Sequence, residues 1–136
     1  MGARRRAREC ALQILFQVDL SETEVELALL RYWDSFGGPA EAREFAEELV
    51  RGACNQKDEI DQMISEAATN WRIERMGRVD RNIIRVAVYE LLACKDIPPR
   101  VTINEAVELA KRFGSEDTPR FVNGVLDAIR QKLHRE

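Results

Sequence analysis

The chain has 136 residues, 45% of them hydrophobic and 33% charged, with a formal net charge of −3. That composition describes one soluble globular domain able to bury a core, not a disordered chain. It excludes a membrane span, because no apolar run approaches about 20 residues, and the basic N-terminus lacks the apolar stretch of a secretory signal.

Glu9 and the acidic residues after Asp19 also argue against a mitochondrial presequence, so the expected compartment is the cytoplasm. Cys10, Cys54 and Cys94 are widely spaced, no CxxC occurs, and His134 is the only histidine. Neither a zinc site nor a Cys–His nucleophile is implied, and the cysteines are expected in the core of a protein kept reduced. No cofactor or metal is expected.

Taken in order, nearly every segment has the periodicity of a helix. The first is predicted from about Ala3 to Asp19. "SETE" then offers Ser21 and Glu24 as a capping box. It opens a second helix with Val25, Ala28, Leu29, Tyr32 and Phe36 inward, stopped by "GGP". A third follows Pro39, with Phe45, Leu49 and Ala53 inward. A fourth, near Lys57 to Asn70, carries Ile60, Met63, Ile64 and Ala67. Gly77 breaks the pattern. "VDRNIIRVAVYELLAC" is apolar enough to predict a helix in the middle of the fold, and "KDIPPRV" a turn, since two prolines do not continue a helix. Thr102 and Glu105 read as a second capping box for "INEAVELAKRF", ended by Gly114. Thr118 is expected to cap a last helix with Pro119 at its first position. Asn123-Gly124 admits a hairpin, but its flanks do not alternate, so the helix is expected to continue with Gly124 allowing close packing. The prediction is about seven helices and no strand, in one domain over 1–136 whose two packed halves, 1–75 and 76–136, meet at Met76-Gly77.

The charge is distributed unevenly. Arg4, Arg5, Arg6 and Arg8 crowd into the first eight positions of an acidic chain. On a helical wheel Ala7, Cys10, Ala11, Ile14, Leu15 and Val18 form one apolar stripe, and Arg4, Arg5 and Arg8 lie beside it on another face. Arg8, Leu12 and Phe16 line up at four-residue spacing. Guanidinium groups leading to an aromatic ring suit single-stranded RNA, the cations pairing with phosphates and the ring stacking on an unpaired base. Positive charge is also disfavoured at a helix N-terminus, which argues against mere decoration. The other readings are a solvated end, a contact with an acidic protein, and Phe16 as core. A duplex is disfavoured by the acidic body and by the lack of a DNA-binding motif.

A second region repeats the combination. "GSEDTPR" places Glu116 and Asp117 before Arg120 and Phe121. Val122, Val125, Leu126, Ile129 and Leu133 make the inward stripe, leaving Phe121 at its flank in the first turn. The pair reads either as a second phosphate and stacking site or as a staple closing the helix end. No catalytic motif or phosphate loop occurs, and neighbouring carboxylates such as Glu47-Glu48 point apart, so an enzyme is not expected.

"ARRRARECALQILFQ", "VDRNIIRVAVYEL" and "INEAVELAKRFGSEDTPRFVNGVLDAI" resemble, in that order and across the chain, the NusB family of bacterial transcription antitermination factors. The resemblance implies an all-α fold of two packed three-helix subdomains. It implies binding of boxA, a single-stranded element of ribosomal RNA leaders, together with the ribosomal protein NusE, and action on RNA polymerase with NusA and NusG. It places Arg4, Arg5, Arg6, Arg8, Phe16, Arg120 and Phe121 at the RNA, and Asp80, Tyr89 and Asp117 toward the partner. Phe16 stands where the family commonly has tyrosine, so only stacking or packing is implied there. Self-association as a homodimer is left open. The alternatives are the accessory module of an RNA-modifying enzyme and a helical interaction scaffold.

Overall fold

The computed structural model describes residues 2–37 and 40–135. Among them are seven α-helices and no strand: α1 (Ala3–Ser21), α2 (Val25–Phe36), α3 (Ala40–Asn55), α4 (Lys57–Ala67), α5 (Arg78–Ala93), α6 (Pro99–Phe113) and α7 (Thr118–Lys132). A single 3-10 turn, Ile73–Arg75, links α4 to α5. Gly38 and Pro39, predicted to stop the second helix and start the third, lie outside the described residues.

Two helices are enclosed rather than amphipathic. On α5 every residue from Asn82 to Leu91 is buried. On α1 every residue from Ala7 to Leu12 is buried. A helix apolar on most faces is stable only in the middle of a fold, and α5 satisfies that by touching α1, α3, α4, α6 and α7. The arrangement places α1, α2 and α3 in one group and α5, α6 and α7 in another, with α1 packed on α5 between them. The division expected at Gly77 does not match the packing, because α4 lies mainly against α5 and α7. Its Ile60 and Ile64 are fully buried and supply the reason.

Several predicted helix ends are displaced. Ser21 does not cap α2; α1 runs through it, and its hydroxyl donates to the Gln17 carbonyl at 2.8 Å. Glu24 caps α2 instead, its carboxylate accepting from the Glu26 amide. Phe36 is 72% exposed, and the buried aromatic of α2 is Trp33. Thr102 is not a cap either. A proline at the first helical position loses no hydrogen bond, so Pro99 starts α6 and Thr102 sits buried within it, donating to Glu90 at 3.1 Å. Asp117 stands at the N-cap position of α7. Thr118 closes the loop before it, accepting from the Ser115 amide at 3.0 Å. α7 continues through Asn123-Gly124, but a Cβ on Gly124 would meet open space, so no close packing requires that glycine. The close approach is elsewhere: a Cβ on Gly52 would lie 2.0 Å from the Tyr89 ring. Cys10 and Cys94 are buried, Cys54 is half-buried, and all three are free thiols.

Candidate nucleic-acid interface

The four N-terminal arginines occupy three environments. Arg6 is exposed, with no ion pair among the described residues. Arg4 is exposed and reaches Asp96 at 3.0 Å, in a pair with both side chains more than half in solvent. Arg5 is a two-point clamp: Nε and Nη2 donate to Glu105 at 2.8 and 2.7 Å. The hydrogen bond and charge of Glu105 hold the Arg5 guanidinium above its ordinary pKa. On the other partner, the Arg5 hydrogen bond outweighs burial, and the Glu105 carboxyl lies below its ordinary range. The two shifts are opposite in direction and both favour the charged pair.

Arg8 corrects the sequence reading. It is 4% exposed, and its Nε and Nη2 donate to the two oxygens of Glu90 at 2.7 and 2.8 Å. Glu90 is 1% exposed and also accepts from Thr102. The wheel placed Arg8 on an open face because it considered α1 alone. Glu90 of α5 and Phe45 of α3 meet Arg8 there, and Leu12, expected outside the stripe, is buried as well. Arg8 therefore does not belong to the surface set. It is the neutralised core of the cluster, 3.8 Å from Glu105 and beneath Arg5. The Phe45 ring lies against both Arg4 and Arg8, each guanidinium 5.7 Å from its centroid.

Between α1 and α6 runs a groove of about 240 Å³, lined by Arg5, Glu9, Glu105, Glu108, Lys111 and Arg112 among others. Lys111 and Arg112 were not singled out from sequence. They are the basic last turn of α6, and a helix C-terminus favours cations whether or not they have a ligand, so their position in sequence carried no functional signal. Arg112 pairs with Glu9 at 2.5 Å and lies 5.2 Å over the Phe113 ring.

Phe16 is half-buried, twelve residues beyond Arg4 and so about 18 Å along α1. α1 and α5 run antiparallel, with Arg8 on Glu90 at one end and Arg81 on Asp19, at 2.7 Å, near the other. Asp80 begins α5 at that second end and accepts from the Thr118 hydroxyl at 3.0 Å, which ties α5 to the start of α7. Arg120 is exposed there, and Phe121 is half-buried. The Phe121 ring meets Trp71 edge-on, 6.1 Å between centroids, and Trp71 is 57% exposed. Sequence reasoning missed Trp71, which lies in the irregular link after α4 and belongs to no helical stripe. The predicted RNA residues thus form two clusters, Arg4–Arg5–Arg6 and Arg120–Phe121, at opposite ends of α1.

The predicted partner residues do not share a surface. Asp117 is exposed in the loop before α7, and Asp80 faces α7. Tyr89, nine residues after Asp80, lies about half a turn round α5. It is buried against Gly52 of α3, its hydroxyl donating to Glu48 at 3.1 Å. Burial, with the charge of Glu48, raises its phenol to about 12. Tyr89 is a packing residue between α3 and α5, not part of an Asp80 surface.

The profile of the NusB family matches residues 5–131. The transcription antitermination protein NusB of Geobacter sulfurreducens is 52% identical over 134 residues, covering 98% of this chain and 97% of that one. Among solved structures, NusB of T. maritima superposes with a TM-score of 0.88 at 41% identity, covering 95% of this chain and 91% of that one. A crystal structure of the antitermination factors NusB and NusE in complex with double-stranded RNA also gives 0.88, at 32% identity, over 97% of this chain and 98% of that one. The similarity runs through both arginine-bearing ends of the fold, and the chain belongs to the NusB family.

Proposed function

We propose that this chain is a transcription antitermination factor that binds boxA-type RNA of ribosomal RNA leaders together with NusE. Its complex with NusA, NusG and RNA polymerase reads through terminators. The observation that carries the reading is the extent of the family match: residues 5–131 take in α1 from Arg5 onward and the Arg120–Phe121 turn. The relative solved with NusE and RNA supports both partners. Arg4, Arg5 and Arg6 hold phosphates, with Arg8 fixing α1 from beneath. Phe16, Arg120 and Phe121 meet bases and phosphates farther along α1. Asp117 and Asp80 stand toward NusE. The chain works by binding and carries out no catalysis; the curated relatives are named as antitermination proteins.

The test is a titration of labelled boxA-like single-stranded RNA, with a duplex of the same sequence beside it, with and without NusE, over a range of salt. With three or four phosphates held, the logarithm of the affinity falls with the logarithm of salt at a slope of about −2 to −3. Binding that tightens with NusE supports the reading. Binding of neither RNA, with or without NusE, overturns it and assigns the arginines to an acidic protein. The duplex arm decides which form of RNA is read.

A further inference from the structure

We propose that the Glu105 carboxylate is a built-in competitor for RNA phosphate: it fills the Arg5 fork in the free protein, and RNA binding exchanges it for phosphate oxygens. The inference rests on the RNA-binding reading above and names a specificity-determining residue within that surface.

The geometry is that of an occupied phosphate site. Arg5 gives Glu105 two hydrogen bonds at 2.8 and 2.7 Å, the fork arrangement by which arginine also grips phosphate. The Arg5 side chain is 41% exposed and within reach of a polyanion, whereas that of Glu105 is 16% exposed and held by its helix. Arg8 does not join the exchange, because it is 4% exposed and its Nε and Nη2 are held by Glu90 in the core. The rest of the groove follows the same rule. Lys111 lies on Glu108 at 3.2 Å and Arg112 on Glu9 at 2.5 Å. Each cation lining the groove therefore has a carboxylate beside it. A polyanion that only drifts near meets an almost neutral surface. One whose phosphate enters the fork replaces the carboxylate with equal geometry.

This arrangement leaves a signature in salt. When a free protein cation meets a phosphate, the counterion condensed there is released. When Arg5 leaves Glu105 for the phosphate, the freed carboxylate takes up a cation from solution. Arg5 then adds little to the net release. Glu105→Gln abolishes the uptake, keeps the side-chain shape, and lets the Arg5–phosphate contact count toward the net release. The salt slope should steepen by about 0.7 for single-stranded RNA. Non-cognate oligouridylate should bind about two- to fivefold more tightly at low salt, the range expected from releasing a partly exposed ion pair.

The experiment measures fluorescence anisotropy with boxA-like RNA and with oligouridylate of equal length across a potassium chloride series. It uses the full chain, Glu105→Gln, and Asp58→Asn, which makes the same charge change at an exposed position on α4. Circular dichroism melts establish that all three are folded. A steeper slope and tighter oligouridylate binding for Glu105→Gln alone support the proposal. An unchanged slope overturns it, as does weaker binding, which would make Glu105 a support that orients Arg5 in the complex. Equal steepening by Asp58→Asn reduces the effect to net charge and also overturns it. If the wild-type chain binds no RNA, the RNA reading falls by itself, and inorganic tripolyphosphate, followed by the Arg5 Nε–H resonance, decides the competitor. Saturation of Glu105→Gln at lower concentration than wild type supports it, and equal saturation overturns it.

Discussion

Arg5 and Arg8 are three residues apart on one helix, and each grips a glutamate with two hydrogen bonds. Their settings separate them. The Arg8–Glu90 pair is enclosed, with side chains 4% and 1% exposed, Phe45 of α3 against Arg8 and Thr102 of α6 on Glu90. The Arg5–Glu105 pair is at the rim, 41% and 16% exposed. Inside, neither charge has water to fall back on, so losing a partner leaves a bare ion in low dielectric. At the rim, either charge can be hydrated or can take another partner. The same chemistry is thus a fixed joint at one position and an exchangeable grip one turn earlier. This teaches that an arginine-rich motif is not a uniform surface: one member holds the fold so that the others face outward.

The largest way to test that contrast is to break the inner pair. Arg8→Ala strands Glu90 and should cost about 3–5 kcal/mol of stability, measured by urea denaturation. A loss below about 1 kcal/mol would mean that water reaches Glu90 and the pair belongs with the rim. The comparison is sharpened by removing both charges: Arg8→Met with Glu90→Leu should recover most of the stability, to within about 1–2 kcal/mol of wild type. The recovered double variant should still bind RNA, because Arg8 does not face solvent. Loss of RNA binding in that folded variant would return Arg8 to the interface.

On the rim the expected effects reverse. Arg5→Ala should change stability little, since the group is at the solvent-exposed rim, yet weaken RNA binding in the salt titration. Unchanged affinity at unchanged helicity would remove Arg5 from the surface set. The smallest effect is in acid. Glu105 has its carboxyl below the ordinary value of 4.5 in the folded protein, through the Arg5 hydrogen bond. A folded-state pKa below the unfolded one contributes stability that is present above the unfolded value and is lost as pH falls through the folded one. Wild type should therefore lose stability below about pH 4.5 more steeply than Arg5→Ala, compared by urea midpoints along an acid series. Parallel curves would show that the rim pair contributes nothing to folding.

Sequence reading had most success where the signal was local. The seven helices, the central placement of α5, the turn at Gly114 and the proline near the start of α7 all follow from periodicity and backbone chemistry. It failed where two elements compete for one residue. Ser21 and Thr102 have capping-box spacing, but Ser21 is taken up by the last turn of α1, and Thr102 is drawn inside by Glu90. Phe36 and Trp33 are both near the inward face of α2, and only the packing selects Trp33. Asp80 and Tyr89 share a helix but not a face, a distinction the wheel contains once α3 and α7 are known to lie on opposite sides of α5.

The amino-acid sequence by itself determined the helices, the uneven charge and the family, because these depend on neighbours along the chain and on motif order. Tertiary structure alone decided which arginine is inside. A wheel has no knowledge of what lies across from it, and Arg8 is buried only because α5 brings Glu90, 82 positions away, into reach. It also decided that Arg5 meets Glu105 and that Trp71 meets Phe121. Each of these pairings joins segments that no local spacing connects, and burial and electrostatics are properties of the assembled neighbours rather than of either residue alone.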